Sequence, residues 1–132
     1  MAEMKISELS IGDWVVYRDR EWQVCALYKF TEEVGLWRKD GQICENVSDL
    51  HPIPLTSAIL EKNGLDYVDD GNDAVIFLCC DMFWARLCVG DTFWQVGIHS
   101  EDRLDAVVCN VKHTHQLQHA LRLVGVGREI EV

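Results

Sequence analysis

The chain has only two prolines, Pro52 and Pro54, and several further absences narrow what it can do. No apolar run approaches the ~20 residues of a membrane span, and the opening MAEMKISELSIG holds no hydrophobic signal core, so a cytoplasmic protein is expected. No glycine-rich phosphate loop, GxSxG elbow or Walker pattern occurs, which removes the commonest nucleotide-binding and serine-hydrolase signatures. No CxxC pair is found among Cys25, Cys44, Cys79, Cys80, Cys88 and Cys109, so neither a zinc ribbon nor a thioredoxin-like redox motif is spelled out. Several of these cysteines lie in apolar strand-like runs, where a reduced thiol behaves as a small hydrophobe. Nor is there a basic half. Residues 1–66 carry 7 basic and 12 acidic side chains, and residues 67–132 carry 5 and 10, for a formal charge of -10. Phosphate backbones and anionic membranes need clustered positive charge, so direct nucleic-acid and membrane binding are not expected, and a basic protein partner is.

What remains is a globular composition: 132 residues, 48% apolar and 26% charged, with five tryptophans. That length buries roughly two-thirds of the unfolded surface and suits one domain, or two small subdomains that share a core.

Read in order, the first half is a series of short strands. Ile11-Gly12-Asp13 turns into Trp14-Val15-Val16-Tyr17, and the polar Arg18-Asp19-Arg20-Glu21 returns the chain through residues 22–28. After Thr31-Glu32-Glu33, residues 34–37 lead to Lys39-Asp40-Gly41-Gln42, whose Asp-Gly pair signals a type I′ hairpin, and back through residues 43–47. Four strands in about fifty residues predict a bent sheet or small SH3-like barrel. The two prolines exclude a central strand at residues 51–55 and predict a connector.

Thr56 then reads as the N-cap of a short helix closed by Gly64. Strands are predicted at residues 67–68, 74–80, 83–89, 93–98 and 104–111, with a further short strand at 128–132. The segment VKHTHQLQHALRLVG at residues 111–125 is the clearest helix. With Thr114 as N-cap and Gly125 just beyond the end, Leu117, Ala120, Leu121 and Val124 form a dry stripe, and His115, Gln118, His119 and Arg122 a wet one. The expected fold is therefore α+β: a barrel-like or bent-sheet subdomain over residues 1–55, then a 56–132 subdomain whose antiparallel sheet is packed by the C-terminal helix. One continuous core joining the two is the alternative.

Three segments, KISELSIGDWVVY (5–17), LHPIPLTSAILEKNGL (50–65) and VKHTHQLQHALRLVGVGREIEV (111–132), together resemble a family of small proteins encoded in Bacteroidetes genomes, often in prophages and mobile elements. Leu65 stands where that family usually has Phe, and Thr114 where an aromatic is usual. The resemblance implies an accessory protein of a phage or mobile element and carries no activity, ligand or catalytic residue to this chain.

The candidate chemistry is sparse. His115 and His119 are four apart on a helix, the spacing with which two imidazoles share Zn²⁺, and His113 lies just ahead of them. The intervening HQLQH lacks the glutamate base of a zinc hydrolase, so a solvated helix face is the simpler reading and zinc the only cofactor indicated. Cys79, Cys80 or Cys88 opposite His99 or His115 would make a thiol nucleophile, but apolar strands do not activate thiols. Asp69-Asp70 and Glu101-Asp102 sit in polar turns, where solvation explains them. No catalytic residue is assigned, and a non-enzymatic role is expected. Trp14, Trp37 and Trp84 with His115, His119 and Arg122 are the expected interaction surface, acting through protein contacts. A metal- or ligand-binding role for the histidines, or an acidic inhibitor imitating DNA charge, are the alternatives.

Overall fold

A computed structural model describes residues 4–68, 74–79, 83–88, 93–100, 103–123 and 129–132; for 68, 74–79, 88, 99–100 and 103–108 the description is of the backbone alone. The fold is α+β and divides into two compact units, residues 1–53 and 54–131.

In the first unit, β1 (Trp14–Tyr17), β2 (Arg20–Tyr28), β3 (Glu33–Arg38), β4 (Gly41–Asn46) and β5 (His51–Pro52) form an antiparallel sheet in the order β4-β3-β2-β1-β5. It is an open bent sheet rather than a closed barrel. Val15, Val24, Val34, Leu36, Val47 and Leu50 point to its buried side with Met4 and Leu9. The proline segment supplies a two-residue edge strand, Pro52 opposite Val15, which is where missing N–H donors are tolerated. The type I′ turn lies elsewhere than expected. Arg18 and Asp19 carry φ of 48° and 62°, whereas Lys39 and Asp40 are not among the described non-glycine residues with positive φ. Asp tolerates the left-handed region, and the Arg18 guanidinium settles 5.3 Å from the Tyr17 ring centroid.

In the second unit, β6 (Asp66–Val68), β7 (Ala74–Cys79), β8 (Phe83–Cys88), β9 (Trp94–Ser100) and β10 (Arg103–Val111) make an antiparallel meander. Helix α1 (Ser57–Lys62) precedes it and α2 (Thr114–Leu123) follows. Thr56 caps α1 as expected, its hydroxyl accepting from the Ile59 N–H at 3.3 Å. Gly64, at φ 79°, ends it in a Schellman motif: Leu65 N–H reaches the Leu60 carbonyl and Gly64 N–H the Glu61 carbonyl. Leu117, Ala120 and Leu121 of α2 pack with Phe83, Ala85, Trp94, Val96 and Val111 of the sheet, which is the covering role the dry stripe predicts.

The start of α2 differs by one residue from the expectation. The His113 carbonyl accepts the first helical bonds, from Gln116 and Leu117, so His113 is the N-cap and Thr114 already lies in the helix. The Thr114 hydroxyl is buried with no hydrogen-bond partner among the described residues. Gln116 does the capping instead, its Oε1 accepting from the backbone N–H groups of Lys112 and His113 at 2.8 and 3.1 Å. Val124, Gly125 and Arg128 lie outside the described residues. Residues 129–132 do not form the strand expected there.

Candidate protein-interaction site

The outer face of the first unit's sheet carries the candidate site. Register fixes it: Trp14 of β1 is opposite Gln23 of β2, and Gln23 is opposite Trp37 of β3. Directly opposed residues share a face, so the two tryptophans flank Gln23 on the side away from Val15 and Val24. The Gln23 amide is held down by donating to the Gly12 carbonyl at 3.0 Å. Trp37 is 39% exposed, and Ile11, beside the same face, 62%.

Trp14 and Trp37 open into a cleft of about 830 Å³ that runs to the two hairpin ends and is lined there by Arg20, Glu21, Arg38, Lys39 and Asp40. Arg38 is engaged twice, 5.2 Å from the Trp22 ring centroid on the buried side and 3.6 Å from the Asp40 carboxylate. Arg20 and Lys39 make no ion pair or hydrogen bond among the described residues, and both are exposed. The cleft thus joins two indoles to two cations, Arg20 and Lys39, at its hairpin end.

Farther along this face, β2 bulges between Val24 and Ala26 and Gly35 of β3 lies beneath the bulge. A Cβ on Gly35 would come 2.9 Å from the Ala26 Cβ and 3.3 Å from the Cys25 Sγ. Cys25 and Cys44 are both exposed free thiols there. The Cys44 thiol is pushed up by local desolvation and by Glu33, whose carboxylate accepts its S–H at 3.6 Å.

The other expected surface residues fare differently. Trp84 is 2% exposed, so it is not part of a binding face. It is opposite Gly97, and its N–H donates to the Ile98 carbonyl at 2.9 Å. His115 is 3% exposed and Gln118 likewise, which overturns the wet stripe at those two positions. Gln118 Oε1 accepts from the Ile130 N–H at 2.6 Å, so the segment around Ile130 covers what an isolated helix would show to water. His119 is half-buried and Arg122 exposed, the latter 3.3 Å from Glu129.

The three histidines do adjoin. His113 and His115 stack with centroids 5.8 Å apart, and His119 meets His115 edge-on at 5.7 Å. Among the described residues no group of three or more His, Cys, Asp or Glu is placed to hold a metal ion. The side chains of Cys79, Cys88 and His99, and all of Cys80, Asp69, Asp70, Glu101 and Asp102, lie outside the described residues, as do the catalytic pairings considered for them. The cleft residues Arg20, Glu21, Arg38, Lys39 and Asp40 read in sequence as solvated turns. The available signal was that both turns abut a tryptophan, Trp22 and Trp37.

The stretches around Leu55 and Lys112 meet in the second unit: Leu55 N–H donates to the Lys112 carbonyl at 2.9 Å, Pro54 bridges His113, and the Trp94 indole donates to the Leu55 carbonyl. Comparison with known proteins adds no relative: no family model, curated protein or solved structure matches the chain. Among the described residues no helix is long and apolar enough to cross a membrane.

Proposed function

We propose that this protein is a cytoplasmic, non-enzymatic accessory factor of a phage or mobile element that acts through protein contacts made by the outer face of its first sheet. The observation that carries this reading is the pair Trp14 and Trp37, held on one face across Gln23 and opening into the cleft of about 830 Å³. Tryptophan exposed beside a concavity is the residue type that dominates interface energetics, and truncating such a residue typically costs about 2 kcal/mol or more of binding.

Affinity capture from a lysate of the source cell tests the reading, with the tagged chain compared against a Trp14→Ser, Trp37→Ser variant at two salt concentrations. One stoichiometric partner retained by the parent at the higher salt and lost by the variant is the expected result. A partner held equally by both places the contact elsewhere.

A further inference from the structure

We infer that the segment entering the cleft is an extended acidic peptide stretch of the partner protein, with an apolar side chain seated between Trp14 and Trp37 and carboxylates beside Arg20 and Lys39. This rests on the protein-contact reading and goes against the basic partner that the net charge alone would select.

Two features of the cleft argue for it. The first is spacing. Trp14 and Trp37 stand on strands separated by one other, which puts their backbones roughly 10 Å apart with the short, tethered Gln23 between them. Spacing of that size lets one apolar side chain, of proline or leucine size, lie over Gln23 and reach both indoles. An extended strand running past the gap presents every second residue to the face and the rest to its margins.

The second is charge. The first unit is acidic, yet the cleft gathers Arg20, Arg38 and Lys39, half of the six basic residues within residues 1–53. Asp40 is already answered by Arg38, which leaves two cations against Glu21. At physiological ionic strength charges are screened over about 8 Å, so a peptide seated in the cleft feels Arg20 and Lys39 more than the distant carboxylates. A polyanionic nucleic acid would also stack on the indoles. It must bring a continuous run of phosphates across a chain of charge -10, whereas a peptide needs only two or three carboxylates at the cleft.

The test uses the full chain and four probes: peptides of about ten residues sharing a Pro-Leu-Pro centre flanked by Glu, Lys or Ser, and a thymidine oligonucleotide of about ten nucleotides. Binding is followed by tryptophan fluorescence and by the indole N–H resonances. The Glu-flanked peptide is expected to saturate, about tenfold tighter than the Ser-flanked one, with shifts at Trp14 and Trp37. An Arg20→Glu, Lys39→Glu variant, checked for an unchanged amide spectrum, is expected to lose that preference and to favour the Lys-flanked peptide. Equal or tighter binding of the Lys-flanked peptide to the parent chain overturns the inference, as does tighter binding of the oligonucleotide or saturation by no peptide. If the peptides fail while the parent chain still captures a partner that the Trp14→Ser, Trp37→Ser variant loses, the acidic segment is wrong and the contact surface stands. If that capture fails too, both fall.

Discussion

Asn63 and Glu131 are 68 residues apart and bind each other as two strands would: the Asn63 amide donates to the Glu131 carbonyl at 2.6 Å, and its Oδ1 accepts from the Glu131 N–H at 2.7 Å. The same amide also donates to the Ile59 carbonyl at 2.7 Å, so one side chain at the end of α1 serves two backbones. Next to it, Gln118 takes the Ile130 N–H. Two side-chain amides thus replace the sheet partner that residues 129–131 lack, and they seat Ile130 in the core with Leu117 and Leu121.

Replacing Gln118 by Leu is therefore expected to destabilise the second unit by about 1–3 kcal/mol, because the buried Ile130 N–H loses its acceptor. Asn63→Ala, at a more exposed site where water can answer the backbone, is expected to cost less, about 1 kcal/mol. Urea denaturation of both variants checks the order; equal effects would contradict it.

Gly35 is a packing requirement rather than a flexible point. Gly35→Ala sets a Cβ 2.9 Å from the Ala26 Cβ, a rigid neighbour, and is expected to cost about 1–3 kcal/mol. A second change, Ala26→Gly, removes the clash and should return part of that loss. A double variant no more stable than Gly35→Ala alone would show that the close approach is not the cause.

The cap of α2 depends on Gln116. Gln116→Ala frees the backbone N–H groups of Lys112 and His113 and is expected to destabilise by about 0.5–2 kcal/mol. Thr114→Val, by contrast, removes a buried hydroxyl that bonds to nothing among the described residues, and is expected to be neutral or stabilising. Thermal melts of the pair separate the two roles.

The Cys44 thiol is raised by desolvation and by the Glu33 carboxylate, so at a given pH less of it is thiolate than in a free peptide. Alkylation by iodoacetamide at mildly alkaline pH is then expected to be slower at Cys44 than at a cysteine in a short peptide. Glu33→Gln removes the negative charge, lowers the thiol toward its ordinary range and should speed the reaction. An unchanged rate would mean that the carboxylate does not govern the thiol.

The architecture was largely legible because hydrophobic alternation and turn chemistry are local. The segment Trp14-Val15-Val16-Tyr17, the Thr56 cap with Gly64, and the Leu117, Ala120, Leu121 stripe each read directly from spacing. What did not read was decided by partners distant in sequence. His115 and Gln118 look solvent-facing on a helical wheel, and Trp84 looks like a spare aromatic until Gly97 is set opposite it. The cleft was least legible, because Arg20, Lys39 and Asp40 are ordinary turn residues that come to line a cleft beside two indoles only when register sets Trp14 and Trp37 on one face.

The most direct test of the proposed contact is site-specific photo-crosslinking in the source cell, with a benzophenone amino acid replacing Ile11, exposed beside Trp37 in the first unit, or Leu123, also exposed, in the second. The account predicts a discrete adduct from position 11, abolished by Trp14→Ser, Trp37→Ser, and none from position 123. An adduct from position 123 with none from position 11 would contradict it.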